Sequence, residues 1–120
     1  MIKGEVLEVI HKKTGKKIAS EVRYAGTFLS RLRGLMFTPK LNGFDGLIIE
    51  PCNSIHNCFV YFSLDVVFMD QNNTAVKIIR NFKPWRFSWI YPKAKKVLEL
   101  PSGKLPQEVI EGDELEVIGV

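Results

Sequence analysis

The sequence predicts a mainly β domain, a compact sandwich or barrel-like fold with one short helix near residues 28–36. Two observations predict this. Short apolar runs recur along the chain with turn residues between them, spaced roughly every eight to twelve positions. And one stretch only, Thr27–Phe37, carries helical spacing: Phe28, Leu29, Leu32, Leu35 and Met36 form a single apolar stripe. The chain has 120 residues, 46% of them hydrophobic and 25% charged. That is the size and balance of one domain with one core, spanning residues 1–120.

Taken in order, Lys3 to Ile10 alternates weakly and reads as a strand. The basic turn His11–Lys17, with Gly15 where a positive φ is required, returns the chain into Ile18–Tyr24. His11 is expected at the surface beside its lysines. Thr27 is placed to cap the helix, Gly34 to weaken or end it, and Thr38-Pro39 to close the segment. Arg31 and Arg33 lie off the apolar stripe. They are either solvated or, for one of them, folded back over the following segment as an anion ligand or a partner for Asp65. Asn42–Gly46 is a turn, and Leu47–Glu50 a short buried strand stopped by Pro51. Residues 64–81 form a hairpin about Gln71–Thr74. Phe82–Pro92 is an aromatic loop holding both tryptophans. Interleaved with Lys83 and Arg86, its rings could stack on bases or sugars, or cover the core, and at least one tryptophan is expected to do the latter. Lys95–Pro101 is a strand with Glu99 between leucines, Pro106–Ile110 a helical turn, and Glu114–Val120 the last strand.

The chemistry-bearing groups concentrate between Cys52 and Asp70. If residues 52–58 run extended, Cys52, Ser54, His56 and Cys58 share one face. Asp65 then begins an otherwise apolar face, where a carboxylate needs a partner. We expect it to be at least half-buried and bonded to backbone N–H groups or to an arginine. The charges near the N-terminus do not fit a secretory signal, and no apolar run reaches the length of a membrane span. The expected address is cytoplasmic, with both cysteines reduced and unbridged. The net charge of +4 allows an anionic partner without requiring one.

Arg33-Gly-Leu-Met-Phe37, Ser54-Ile-His56, Leu64–Asp70, Pro84-Trp-Arg86, Val97–Gly103 and Glu111-Gly-Asp113 follow one another in that order. Together they resemble the small prokaryotic family DUF192, also called UPF0127, over roughly residues 20 to 118. The resemblance implies a jelly-roll-like sandwich with one helix and no established activity. Some family members carry export signals. The chain departs from the family pattern at Ser63, where proline usually precedes the Leu/Ile-Asp pair, and over Asn57–Val60. One branch places an aromatic residue where His56 sits, which weighs against His56 as an obligatory catalyst.

Three functions follow from these residues. The first is a binding or accessory module whose shallow pocket is lined by Arg33, Met36, Ser54, His56, Asp65, Trp85 and Glu99. Such a pocket would take a small polar ligand or a peptide segment of a protein partner. The second is a hydrolase or transferase with Cys52 or Cys58 as nucleophile, His56 as base and Asp65 as orienter. Neighbouring positions on one strand face stand about 7 Å apart at Cα, long for that relay. The third is a metal site from Cys52, His56, Cys58 and Asp65, whose spacing on an extended strand spreads the donors too far for one ion. Nucleic-acid binding through Trp85, Arg86, Trp89 and the lysines ranks last, since the charge is not gathered on one element. The binding module leads. No motif specifies a cofactor, and none names catalytic residues.

Overall fold

The structure, a computed structural model, describes residues 6–27, 30–31, 34–36 and 43–119. Among the described residues, alternating and continuous apolar runs become seven strands: β1 (Leu7–His11), β2 (Lys17–Ala25), β3 (Gly46–Ile49), β4 (Leu64–Met69), β5 (Ala75–Phe82), β6 (Lys96–Pro101) and β7 (Leu115–Gly119). They form one curled sheet in the order β5-β4-β6-β3-β2-β1-β7. All neighbours are antiparallel except β2 and β3, which pair in parallel across the intervening crossover. The sheet curls far enough for its two edge strands to meet at one end. Thr74 bridges Glu114, Ala75 N–H donates to the Asp113 carbonyl, and Leu115 N–H to that of Asn73. The mainly β, barrel-like expectation is met, as a half-barrel made from one sheet.

Because strand side chains alternate, the curled sheet buries a layer on each face. One is packed inside the curl: Leu7, Val9, Val22, Ile48, Val67, Met69, Leu98 and Leu100, closed by Leu105 and Val109. The other lies outside it: Leu47, Ile49, Leu64, Val66, Phe68 and Val97, covered by Leu35, Ile55, Val60 and Ala94 from the connecting segments. Both faces of β4 are consequently buried, which explains its continuous apolar run. Fully burying each of these large side chains contributes about 1.5–3 kcal/mol. Arg80 reaches from β5 to donate to the carbonyls of Leu105, Pro106 and Val109, holding the 105–109 turn over the inner layer.

The short helix does not form as an element among the described residues. Between Thr27 and Met36 the described residues hold two helical backbone bonds, Arg31 N–H to Thr27 C=O and Gly34 N–H to Ser30 C=O. Gly34 adopts a φ of 50°, the left-handed conformation that terminates a helix as glycine can. Residues 28, 29, 32 and 33 of that expectation, Thr38-Pro39, Asn42 and the first residues of the N-terminal strand lie outside the described residues.

Two further expectations are corrected. His11 is fully buried, its Nε2 2.8 Å from Asp113 Oδ2 and its Nδ1 2.9 Å from Thr14 Oγ1. The β1–β7 pairing brings Asp113 to it from 102 residues away, a partner that local sequence does not reveal. The hydrogen bond from His11 holds the Asp113 carboxyl below its usual range. And neither tryptophan covers the core: Trp85 is 60% and Trp89 82% exposed.

Candidate functional site

Residues 52–58 do not run as one extended strand. Only His56 pairs, in an isolated antiparallel bridge with Phe87, and its Nδ1 accepts the Cys58 N–H at 3.1 Å, bending the chain back on itself. The neutral ring then carries its proton on Nε2. Around this bridge the segment is laced to the aromatic loop. Asn57 N–H donates to Arg86 C=O, Trp85 N–H to Asn57 C=O, Ser88 N–H to Ile55 C=O and Tyr91 N–H to Asn53 C=O. Asn57 is fully buried beneath and donates its side-chain amide to the Phe82 carbonyl at 2.9 Å. It anchors the two loops, a role that no sequence pattern announces.

Under these loops lies a cavity of about 240 Å³. Arg31, Gly34, Leu35 and Met36 line one side, Cys52, Ser54, Ile55, His56 and Val60 another, and Ile49 and Glu99 the sheet floor. Glu99 is the group of greatest chemical interest. It sits mid-strand on β6, paired with Leu47 of β3 on one side and Val66 of β4 on the other. Alternation turns Leu98 and Leu100 into the inner layer and leaves Glu99 on the outer face among apolar neighbours. It is 3% exposed. Burial pushes its carboxyl up to about 8, so at neutral pH it is mostly the uncharged acid. Its Oε1 is buried and has no hydrogen-bond partner among the described residues.

Arg31 enters from the opposite wall. One guanidinium nitrogen, Nη1, donates to Pro51 C=O at 3.2 Å, while its Nε is buried and unpartnered among the described residues. Cys52 donates its thiol to Ser54 C=O at 3.0 Å, and burial pushes that thiol up. Both cysteines are free thiols.

Of the residues expected at one pocket, Met36, Ser54, His56 and Glu99 do line this cavity. Arg33 lies outside the described residues. Asp65 is elsewhere. It is 2% exposed and accepts three backbone N–H bonds, from Asn81, Gly103 and Leu105, at 2.9–3.1 Å. The expectation of a buried, backbone-bonded carboxylate is met, and that bonding ties β4 to the 102–105 turn and away from the cavity. Trp85 is also outside it, its ring packed edge-on against Phe59 at 4.8 Å between centroids. Both residues hold positive φ, 64° and 59°, an unusual conformation for bulky side chains. Arg31 and Cys52 join the cavity lining beyond the expected set. Arg31 was legible only as one of two arginines able to fold back. Among the described residues no three His, Cys, Asp or Glu side chains gather as metal ligands would.

A family model, DUF192, described as "Uncharacterized ACR", matches residues 9–117. The chain belongs to the DUF192 family. A UPF0127 protein of Thermococcus sibiricus is 37% identical over 114 residues, covering 90% of this chain and 73% of that protein. A UPF0127 protein of Pyrococcus furiosus is 34% identical over 108 residues, covering 85% and 90%. Among solved structures, a protein of unknown function from Novosphingobium aromaticivorans superposes with a TM-score of 0.77 at 20% identity, over 92% of this DUF192 chain and 83% of its own. A Sinorhizobium meliloti protein, provisionally described as a transcription regulator, gives 0.78 at 24% identity, over 96% and 92%. At these identities the superpositions establish the shared fold. Membership of DUF192 brings no known activity with it.

Proposed function

We propose that this DUF192 chain is a small binding or accessory module, and that the cavity above Glu99 takes a small polar ligand or a peptide end carrying an oxygen acceptor. One observation carries the reading: a carboxyl, buried mid-strand in an apolar layer, lines that cavity with one oxygen unpartnered among the described residues, and its burial favours the uncharged form. A buried polar atom without a partner costs about 1–3 kcal/mol, a cost a bound ligand would remove. The surrounding groups are mainly donors: the Glu99 hydroxyl, Arg31 Nε–H, His56 Nε2–H and the Ser54 hydroxyl. That set suits a carboxylate or carbonyl oxygen. The raised Cys52 thiol favours binding over cysteine catalysis, because a nucleophilic thiol needs the opposite shift. The single domain over residues 1–120 and the cytoplasmic address belong to this proposal too.

The test is an amide NMR titration of the full chain with small monocarboxylates and N-acetylated amino acids. Saturable shifts centred on Ser54, Ile55 and His56, lost in Arg31→Ala, are the expected result. Shifts confined to other parts of the molecule, or none with any probe, would overturn the reading.

A further inference from the structure

The two loops roofing the cavity present a second surface that the pocket does not use. Six large apolar side chains stand exposed on them: Phe59, Tyr61, Trp85, Phe87, Trp89 and Ile90. They are not scattered. The backbone bonds between residues 53–57 and 85–91 make one ribbon of the two loops, and Phe59 packs directly on Trp85. Phe87 is 75% exposed, although its ring centroid lies 6.3 Å from that of His56. Large apolar side chains left exposed together on one loop pair mark an interaction surface.

Its charge is one-sided. No Asp or Glu occurs between Pro51 and Leu64, or between Gln71 and Leu98. Over the same stretch Lys83, Arg86, Lys93 and Lys95 are all exposed. Exposed apolar side chains on stretches that carry cations and no acid complement a surface that is apolar beneath and negative at its boundary.

We infer that this loop pair docks the protein peripherally on an anionic phospholipid bilayer, with the aromatic and isoleucine side chains in the headgroup boundary and the basic side chains on the phosphates. Trp and Tyr, apolar in body and polar at one end, are suited to that depth. A second copy of the chain fits less well, since a symmetric contact through this patch would oppose cation with cation. A single-stranded nucleic acid would use the flat faces of the rings, but it has no use for Ile90.

The experiment is cosedimentation of the full chain with vesicles of phosphatidylcholine, with and without phosphatidylglycerol, together with tryptophan emission. Binding to the phosphatidylglycerol vesicles, a shift of emission to shorter wavelength and weakening by added salt are expected. Trp89→Ala combined with Phe87→Ala should lower the partition coefficient about tenfold or more. Lys83→Gln and Arg86→Gln should each lower it about fivefold. These side chains are exposed, so unchanged circular dichroism and melting will show that the fold is kept. Glu99→Gln should leave vesicle binding unchanged, which separates this inference from the fate of the pocket. Failure to bind phosphatidylglycerol vesicles, or binding indifferent to the Trp89/Phe87 pair, would overturn it. So would tighter tryptophan quenching by a single-stranded oligonucleotide than by vesicles, or a dimer that sequesters the patch.

Discussion

Glu99 makes the stability of this protein depend on pH in a direction opposite to that of an ordinary ion-paired carboxylate. In the native state its carboxyl is pushed up to about 8 by burial, against an ordinary value near 4.5 in the unfolded chain. Between those two values the unfolded chain has released the proton while the native state keeps it. The native state therefore binds more protons, and stability falls as pH rises, by about 1.4 kcal/mol per pH unit. The contribution is fully present below about pH 4.5 and is lost by about pH 8, beyond which it is flat. The accumulated loss is on the order of 5 kcal/mol, of which roughly 3 kcal/mol has gone by pH 7. Glu99→Gln keeps the size and a donor but cannot ionise. Urea unfolding of parent and variant at pH 5, 6, 7 and 8 isolates the effect, because every other titrating group is common to both. The variant should gain on the parent steadily across the series. A difference between the two that stays flat from pH 5 to 8 would refute the reasoning, and with it the neutral Glu99 on which the donor-lined pocket rests.

Asp65→Ala leaves three backbone N–H groups without their acceptor. At about 1 kcal/mol each the variant should lose on the order of 3 kcal/mol in urea unfolding, whereas pocket titrations should be unaffected. His11→Leu removes the hydrogen bond that holds Asp113 down, so carbon-detected NMR should show the Asp113 carboxyl titrating at higher pH than in the parent. The native carboxylate contributes stability above its ordinary range, lost as pH falls through its depressed value, so the variant should also lose less stability on acidification. Cys52, its thiol pushed up by burial, should react with iodoacetamide at neutral pH more slowly than a free thiol. Its rate should rise as the medium is made alkaline, and intact mass under non-reducing conditions should show no loss of two hydrogens.

How much of this was legible in the sequence differs from residue to residue. Period-two alternation is a local property, and it marks most of the strands and sets Glu99 between Leu98 and Leu100, but it misleads over residues 52–58, which bend back on themselves. The recurrence of short apolar runs between turns carried the fold class, and the family motifs agreed with it. The helix expected over 28–36 does not form as an element among the described residues because apolar spacing reports a face, while Gly34 in a left-handed conformation closes the helical turn that starts at Thr27.

What only the tertiary structure decided is which distant segments meet. Glu99 lies in an apolar layer because β6 pairs with β3 and β4, and a residue's own neighbours carry no record of those partners. His11 finds Asp113, and Asp65 finds the 102–105 turn, through strand pairings that close long loops; local context therefore puts His11 at the surface, and it gives Asp65 its buried, backbone-bonded character but not its place away from the cavity. The tryptophans follow the same logic. An aromatic loop has equal reason to cover a core or to face outward until the sheet curls, and here the outer layer is closed by Leu35, Ile55 and Val60, leaving Trp85 and Trp89 with nothing to cover. Sequence by itself determined most of the strands and their faces. The curl and order of the sheet determined which carboxyl is buried, which loops join, and which rings are left to the surface, because those depend on contacts whose partners lie tens of residues apart.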